Sequence, residues 1–173
     1  MLRTALVVEV SEPAPIVDGW RERTCSDKPS IGVPAHVTLL FPFVPAERLD
    51  DRLLAELDAL FARFDPFAVV FAQTDRFPTT LYLRPEPAQP FVALTEAIVA
   101  RYPEHPPCEG AFDEIVPHLT VAHGEPELLD AAAADVERAL PLRVVVDEVV
   151  LVEEVEPDWR RWARRRAFRL GAV

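Results

Sequence analysis

Two short segments of this chain carry residues suited to chemistry at phosphorus. His36-Val37-Thr38 and His118-Leu119-Thr120 each place a histidine two positions before a threonine. In an extended strand, residues i and i+2 project from the same side. His36 and Thr38 therefore point together, as do His118 and Thr120, while Val37, Leu39, Leu119 and Val121 suit an opposite, covered side. Histidine titrates near neutral pH, so two opposed imidazoles can serve as base and acid. Two threonine hydroxyls can donate to the non-bridging oxygens of a phosphate held between them. No metal is needed for such an in-line displacement. The bland alternative is a pair of core histidines satisfied by backbone. A polar pair on an otherwise apolar strand costs stability unless something satisfies it, and a cleft would.

The elements that must position these residues follow from hydrophobic periodicity and punctuation. Residues 4–10 (TALVVEV) read as a buried strand, and 13–23 as a short helix capped by Ser11 with Ile16, Val17 and Trp20 inward. A loop over 25–33 leads to a strand over 35–41. Residues 46–64 form a helix with Leu49, Leu53, Leu57, Leu60, Phe61 and Phe64 on one face, ended by Asp65-Pro66. Strands are expected over 67–75 and 79–84, a helix over 88–101 and a Pro-rich loop over 102–110. A strand over 116–122 precedes a helix from Pro126 to about Leu140. Residues 142–154 read as a strand or bulged pair, and 165–170 as a last strand.

This order repeats: strand, helix, His-bearing strand, helix, strand, and then the same again from Thr79. An internal duplication explains that order. The expected fold is α+β: bilobal, internally duplicated, two antiparallel-rich sheets with outer helices around a central cleft. Residues 1–173 would form a single domain of two lobes, each contributing one His-x-Thr strand.

The segments GVPAHVTLLFPF (32–43), TTLYLRP (79–85), VPHLTVAHG (116–124) and FRLG (168–171) resemble the two-histidine (2H) phosphoesterase superfamily. That group includes bacterial 2′-5′ RNA ligase-like proteins and cyclic nucleotide phosphodiesterases. The resemblance extends over nearly the whole chain. It implies a cleft in which one histidine activates water or a hydroxyl and the other protonates the departing ribose oxygen, with the threonines on the phosphate. Carried onto this chain, the catalytic residues are His36 and His118, and the phosphate-binding residues are Thr38 and Thr120. Which histidine is the base stays open.

Other residues carry weaker signals. Tyr82 and Arg84 share a strand face opposite Leu81 and Leu83. Tyr82 is a candidate for stacking on a base and Arg84 for pairing with a phosphate, with a surface ion pair as the plain reading of Arg84. Phe77 is placed at the cleft mouth, whereas Phe41 and Phe43 read as core. His123 lies five residues after His118, and that odd spacing puts it on the opposite strand face. His105 is expected to be solvated; with Cys108 and Glu109 it offers no zinc spacing.

Composition narrows the function classes. Lys and Arg total 18 against 29 Asp and Glu, a net charge of −11. Extended duplex nucleic acid is held by clustered cations, so it is not an expected partner. Six of the basic residues fall within 160–173 (Arg160, Arg161, Arg164, Arg165, Arg166, Arg169). They read as a solvated basic strand or, alternatively, as a rim beside a phosphate. Cys25 and Cys108 form no disulfide framework. Met1 to Val10 reads as a strand and not a signal peptide, and no run is long enough to span a membrane. A cytoplasmic monomer without cofactor or metal is expected, taking a small nucleotide or an RNA end. The leading expectation is a metal-independent phosphoesterase acting on a 2′,3′-cyclic phosphate. The alternatives are reversible 2′-5′ RNA ligation, a non-catalytic nucleotide- or RNA-end-binding module, and a zinc hydrolase, which lacks a third ligand.

Overall fold

A computed structural model describes residues 1–10, 15–25, 32–106, 115–156 and 161–171. The first strand, β1 (Thr4–Glu9), is followed by helix α1 (Pro15–Thr24) and by β2 (His36–Leu40), which carries the first motif. A single 3-10 turn, Ala46–Arg48, leads into α2 (Asp51–Phe61). Strands β3 (Phe67–Phe77) and β4 (Thr80–Glu86) form a hairpin closed by Pro78 and Thr79, then α3 (Gln89–Arg101) follows. The second motif runs into β5 (Leu119–His123), and α4 (Pro126–Glu137), β6 (Leu142–Val146), β7 (Glu148–Glu156) and β8 (Arg161–Arg169) complete the order. The Ser11 cap, Cys108 and Arg160 lie outside the described residues.

The strands make one curled antiparallel sheet in the order β6-β3-β4-β5-β2-β1-β7-β8. This corrects the expectation of two sheets. The joint between the two sets of four strands is narrow: β5 and β2 share one register pair, Val37 with Leu119. Helix side chains satisfy backbone groups that would otherwise be left open beside it. The Thr24 hydroxyl on α1 accepts from the His123 N–H at 3.2 Å. The Thr95 hydroxyl on α3 donates to the Leu39 carbonyl at 3.1 Å.

One sheet face is covered. All four helices supply side chains to a continuous apolar core, among them Val17, Leu57, Phe61, Phe91, Leu94, Ile98, Leu129 and Val136. These pack on Leu6, Val8, Val37, Leu81, Leu83, Leu119 and Val121 from the strands. Burying each large apolar side chain stabilises the fold by roughly 1.5–3 kcal/mol, so this face holds the helices in place. The other face carries a small separate cluster of Ala5, Val7, Val33, Val150, Val152 and Trp162, with Phe41 against it. Gly32 belongs to the turn beneath this cluster: its φ is +93°, and a Cβ there would stand 2.2 Å from the Trp162 carbonyl oxygen.

Several boundaries differ from the sequence reading. The helix expected over 46–64 begins at Asp51, because the Asp50 side chain caps it by accepting the Leu53 N–H at 2.8 Å. Residues 142–154 are two strands that lie on opposite sides of the sheet: β6 pairs with β3, and β7 with β1 and β8. Among the described residues, no helix is long and apolar enough to cross a membrane.

Candidate active site

The pair Val37–Leu119 places the two motifs side by side at the middle of the sheet. Both residues are fully buried against the helices. Their neighbours must then project from the open face. The antiparallel step sets His36 toward Thr120 and Thr38 toward His118, so the four motif residues form one block. Thr38 is exposed, while His36, His118 and Thr120 are half-buried.

A bulge follows each motif. Leu6 pairs with Leu40 but Val7 pairs with Thr38, so β2 carries one extra residue at Leu39. Likewise Leu81 pairs with Ala122 but Tyr82 pairs with Thr120, so β5 carries one extra at Val121. An inserted residue reverses the alternation beyond it. Leu39 and Leu40 are therefore both buried, as are Val121 and Ala122. Five residues past each histidine, Phe41 and His123 emerge on the open face. This overturns the parity that set His123 on the covered side, and it puts Phe41 against the small apolar cluster of the open face and not in the main core. His123 contacts the Thr80 hydroxyl, 2.8 Å from its Nδ1. Phe43 is buried in the main core as expected, and the ring of His105 packs edge-on against it.

The two catalytic candidates are anchored alike. His36 Nδ1 lies 2.8 Å from the Pro34 carbonyl, and His118 Nδ1 lies 2.7 Å from the Val116 carbonyl. A carbonyl can only accept, so each Nδ1 is assigned the proton and each Nε2 is left to take up or release one. In both cases the anchor is the carbonyl two residues earlier.

Beyond that the surroundings differ. His118 meets aromatic rings: Phe77 at 5.2 Å and Tyr82 at 5.5 Å between centroids, both edge-on. Phe77 and Tyr82 stack on each other at 4.5 Å. Burial and the Asp75 carboxylate raise the Tyr82 hydroxyl above its ordinary pKa. The structure thus brings Phe77 and Tyr82 to the second histidine. Arg84, half-exposed, lies 3.9 Å from Asp75 and 3.7 Å from Glu86, and its charge is felt by the Tyr82 hydroxyl. That is the surface-pair arrangement.

His36 meets charge. Arg21 of α1, 6% exposed, holds its NH2 group 3.4 Å from His36 Nδ1. Because the Nδ1 proton is committed to Pro34, this approach is a repulsion between donors and not a second hydrogen bond. Burial, then the Arg21 guanidinium, then His118 push the His36 pKa down from 6.5 to about 4, against the opposing effect of the Pro34 hydrogen bond. His36 is neutral at pH 7, and the His118 contribution shows that the two imidazoles sense each other. Glu9 is the direct cross-strand partner of His36. Burial raises its pKa, Arg164 opposes that rise at 3.6 Å, and Glu148 adds to it.

The sequence reading missed Arg21 and Glu9. Arg21 stands four residues after Val17, on the apolar stripe of α1, and a charge on a buried stripe was the available signal. The basic segment resolves into ion pairs. Arg164 bonds Glu148, Arg166 bonds Asp58, Arg165 lies 3.4 Å from Glu153, and Arg169 lies beside Asp147. The plain reading of that segment is the one these pairs fit. Among the described residues, no group of three or more His, Cys, Asp or Glu is placed to hold a metal.

The sequence pattern describing the 2′-5′ RNA ligase superfamily matches residues 9–158. The chain belongs to this superfamily. Its fold is shared with solved structures at low identity. Protein TT0787 of Thermus thermophilus is 23% identical, with 98% of each chain covered and a TM-score of 0.59. E. coli LigT, solved with NADP+, is 18% identical, with 98% of this chain and 97% of that one covered and a TM-score of 0.59. A structure described as a phosphoesterase is 18% identical, covering 98% and 99%, with a TM-score of 0.58. Among curated protein sequences, none matches the chain. The family thus rests on the sequence pattern, and these structures add that the fold is shared.

Proposed function

We propose that this protein is a metal-independent phosphoesterase that opens a 2′,3′-cyclic phosphate on a nucleotide or RNA end. The observation that carries the reading is the matched anchoring of two imidazoles by Nδ1 on one open sheet face, beside two threonines. His36, neutral at pH 7, takes a proton from water through Nε2 as the water attacks phosphorus. The bond from phosphorus to one ribose oxygen breaks. His118 Nε2 gives its proton to that departing oxygen, leaving a phosphomonoester and a ribose hydroxyl. One histidine has gained a proton and the other has lost one, and exchange with solvent resets the pair. Thr38 and Thr120 donate to the non-bridging oxygens, which carry the growing charge.

Phe77 and Tyr82 supply a stacking surface for a base next to His118. LigT, a structural relative, has been solved with 3′-AMP, ATP and phosphate, which supports a small nucleotide as the ligand class. The ion-paired arginines of β8 also favour a small substrate over a long phosphate track. The repeated bulge and repeated histidine anchor support, within this reading, a single domain of two duplicated lobes.

Purified protein should hydrolyse a 2′,3′-cyclic nucleotide in the presence of a chelator. His36→Ala and His118→Ala should each slow it by about 10²–10⁴-fold. Full activity in both variants sinks the reading, and saturable binding without turnover would make the protein a binding module instead. The superfamily match keeps one second reading, formation or reversal of a 2′-5′ RNA linkage. A 2′-5′-linked dinucleotide cleaved faster than the cyclic phosphate would favour it.

A further inference from the structure

Two histidines held in the same way have no intrinsic reason to play different parts. Besides deeper burial, what sets His36 apart is a charged neighbour, Arg21. Its NH1 group donates to Asp18 Oδ1 at 2.9 Å and to the Val33 carbonyl at 3.2 Å. Asp18 Oδ1 also accepts the Ala35 N–H at 2.8 Å. The Arg21–Asp18 pair therefore ties α1 to both sides of Pro34, whose carbonyl holds His36 Nδ1. The remaining arm of the guanidinium faces the imidazole itself. A second proton on His36 would set two cations against each other in a half-buried place, where water screens them poorly.

The other charges near His36 leave this contact dominant. Asp18 is engaged by Arg21 and Ala35. Glu9, across on β1, is paired with Arg164 of β8, which also bonds Glu148 of β7. From the segment that leads into β5, His118 adds a further repulsion.

We propose that Arg21 is a positioning residue that assigns the two roles, seating the Pro34 anchor and keeping the second proton off His36, so that His36 is the base and His118 the acid. This rests on the phosphoesterase reading and adds to it the device that breaks its near-symmetry.

The test follows the His36 ring by NMR titration in the free protein, with the pH profile of kcat/KM for a 2′,3′-cyclic nucleotide alongside. In Arg21→Met the His36 midpoint should rise by about one unit or more, and the acid limb of the profile should rise with it. Arg21→Lys, which keeps the charge, should restore most of the downward displacement. The double variant Arg21→Met/Asp18→Asn removes the orphaned carboxylate and carries the test if the single one folds poorly. A merely structural arginine would lower the yield of folded protein and leave both midpoints in place, and that result overturns the proposal. So does a wild-type His36 midpoint near 6.5, which needs no variant at all. Loss of activity in His36→Ala and His118→Ala with an unmoved midpoint in Arg21→Met would refute only the role of Arg21. Full activity in both histidine variants would refute the function beneath it.

Discussion

Replacing His36 by Asn should change how the stability of this protein depends on pH, and the size of the change follows from the site. The folded protein holds His36 at a pKa of about 4, against 6.5 for a free imidazole. As pH falls below 6.5 the unfolded chain takes up a proton that the folded chain refuses, so stability falls. Below about 4 the folded protein accepts the proton as well, and the loss levels out. At 1.36 kcal/mol per unit the full effect is about 3 kcal/mol, of which about 2 kcal/mol is already lost at pH 5. Asn is chosen because its side-chain amide can donate to the Pro34 carbonyl where Nδ1–H does now, while carrying no titratable group. Urea unfolding of both proteins at pH 7, 5 and 4, at fixed ionic strength, gives the comparison. Groups distant from His36 are common to both proteins, so their effects cancel in the difference. The wild type should lose about 2 kcal/mol more than His36→Asn between pH 7 and pH 5. Parallel losses would show that His36 is not held neutral by its surroundings and would remove the physical basis for naming it the base.

Two further outcomes test the frame and the phosphate contacts. Glu154 is 2% exposed and is held by Arg3 through its side chain at 2.7 and 3.1 Å and its N–H at 3.3 Å. Arg3→Met should cost about 3 kcal/mol at pH 7 by urea unfolding, because it strands a buried carboxylate. Hydrogen bonding to Arg3 lowers the Glu154 pKa, so the contribution of the pair is present above the ordinary carboxylate range and fades as pH drops through the lowered value. The penalty of Arg3→Met should therefore shrink toward pH 4. Thr38→Val and Thr120→Val should each slow cyclic phosphate hydrolysis by about 10²-fold while leaving the pH profile and the unfolding midpoint in place. Equal rates in both would show that neither hydroxyl touches the phosphate.

The block of four motif residues was legible because strand parity is a local rule, and Val37 and Leu119 obey it. What lay beyond each motif was not. The bulges at Leu39 and Val121 exist because the neighbouring strands register one residue short, which is a property of pairing and not of the strand sequence. One inserted residue was enough to move Phe41 and His123 to the open face. The valine-rich stretch from 142 reads the same whether it forms one long strand or two short ones. Only the partners, β3 for one part and β1 for the other, separate them. The Leu stripe of α2 was clear from spacing, yet its start depended on which of two adjacent aspartates turns back to cap it, and Asp50 does. Arg21 reads as an ordinary last-turn arginine until the packing of α1 against the segment before β2 puts its guanidinium beside His36.

Near-symmetry is itself a problem that such a site has to solve. If both imidazoles had the same pKa and titrated independently, the arrangement with one chosen ring neutral and the other protonated would never exceed about one molecule in four. The shared features cannot lift that ceiling, because both rings have the same Nδ1 anchor, the same threonine two residues on and the same bulge after it. Only groups that flank one ring and not the other can do so. Among the described residues, the groups seen against His118 are the rings of Phe77 and Tyr82, which carry no net charge at neutral pH. On the side of His36 they include a buried guanidinium. With His36 held neutral at pH 7, the productive fraction depends on the protonation of His118 alone. A base of low pKa also abstracts a proton less strongly, so the arrangement exchanges intrinsic basicity for occupancy of the correct state. In the proposed reaction that exchange would favour attack by a water polarised by the phosphate site itself, placing the demand on Thr38 and Thr120 as much as on the histidines.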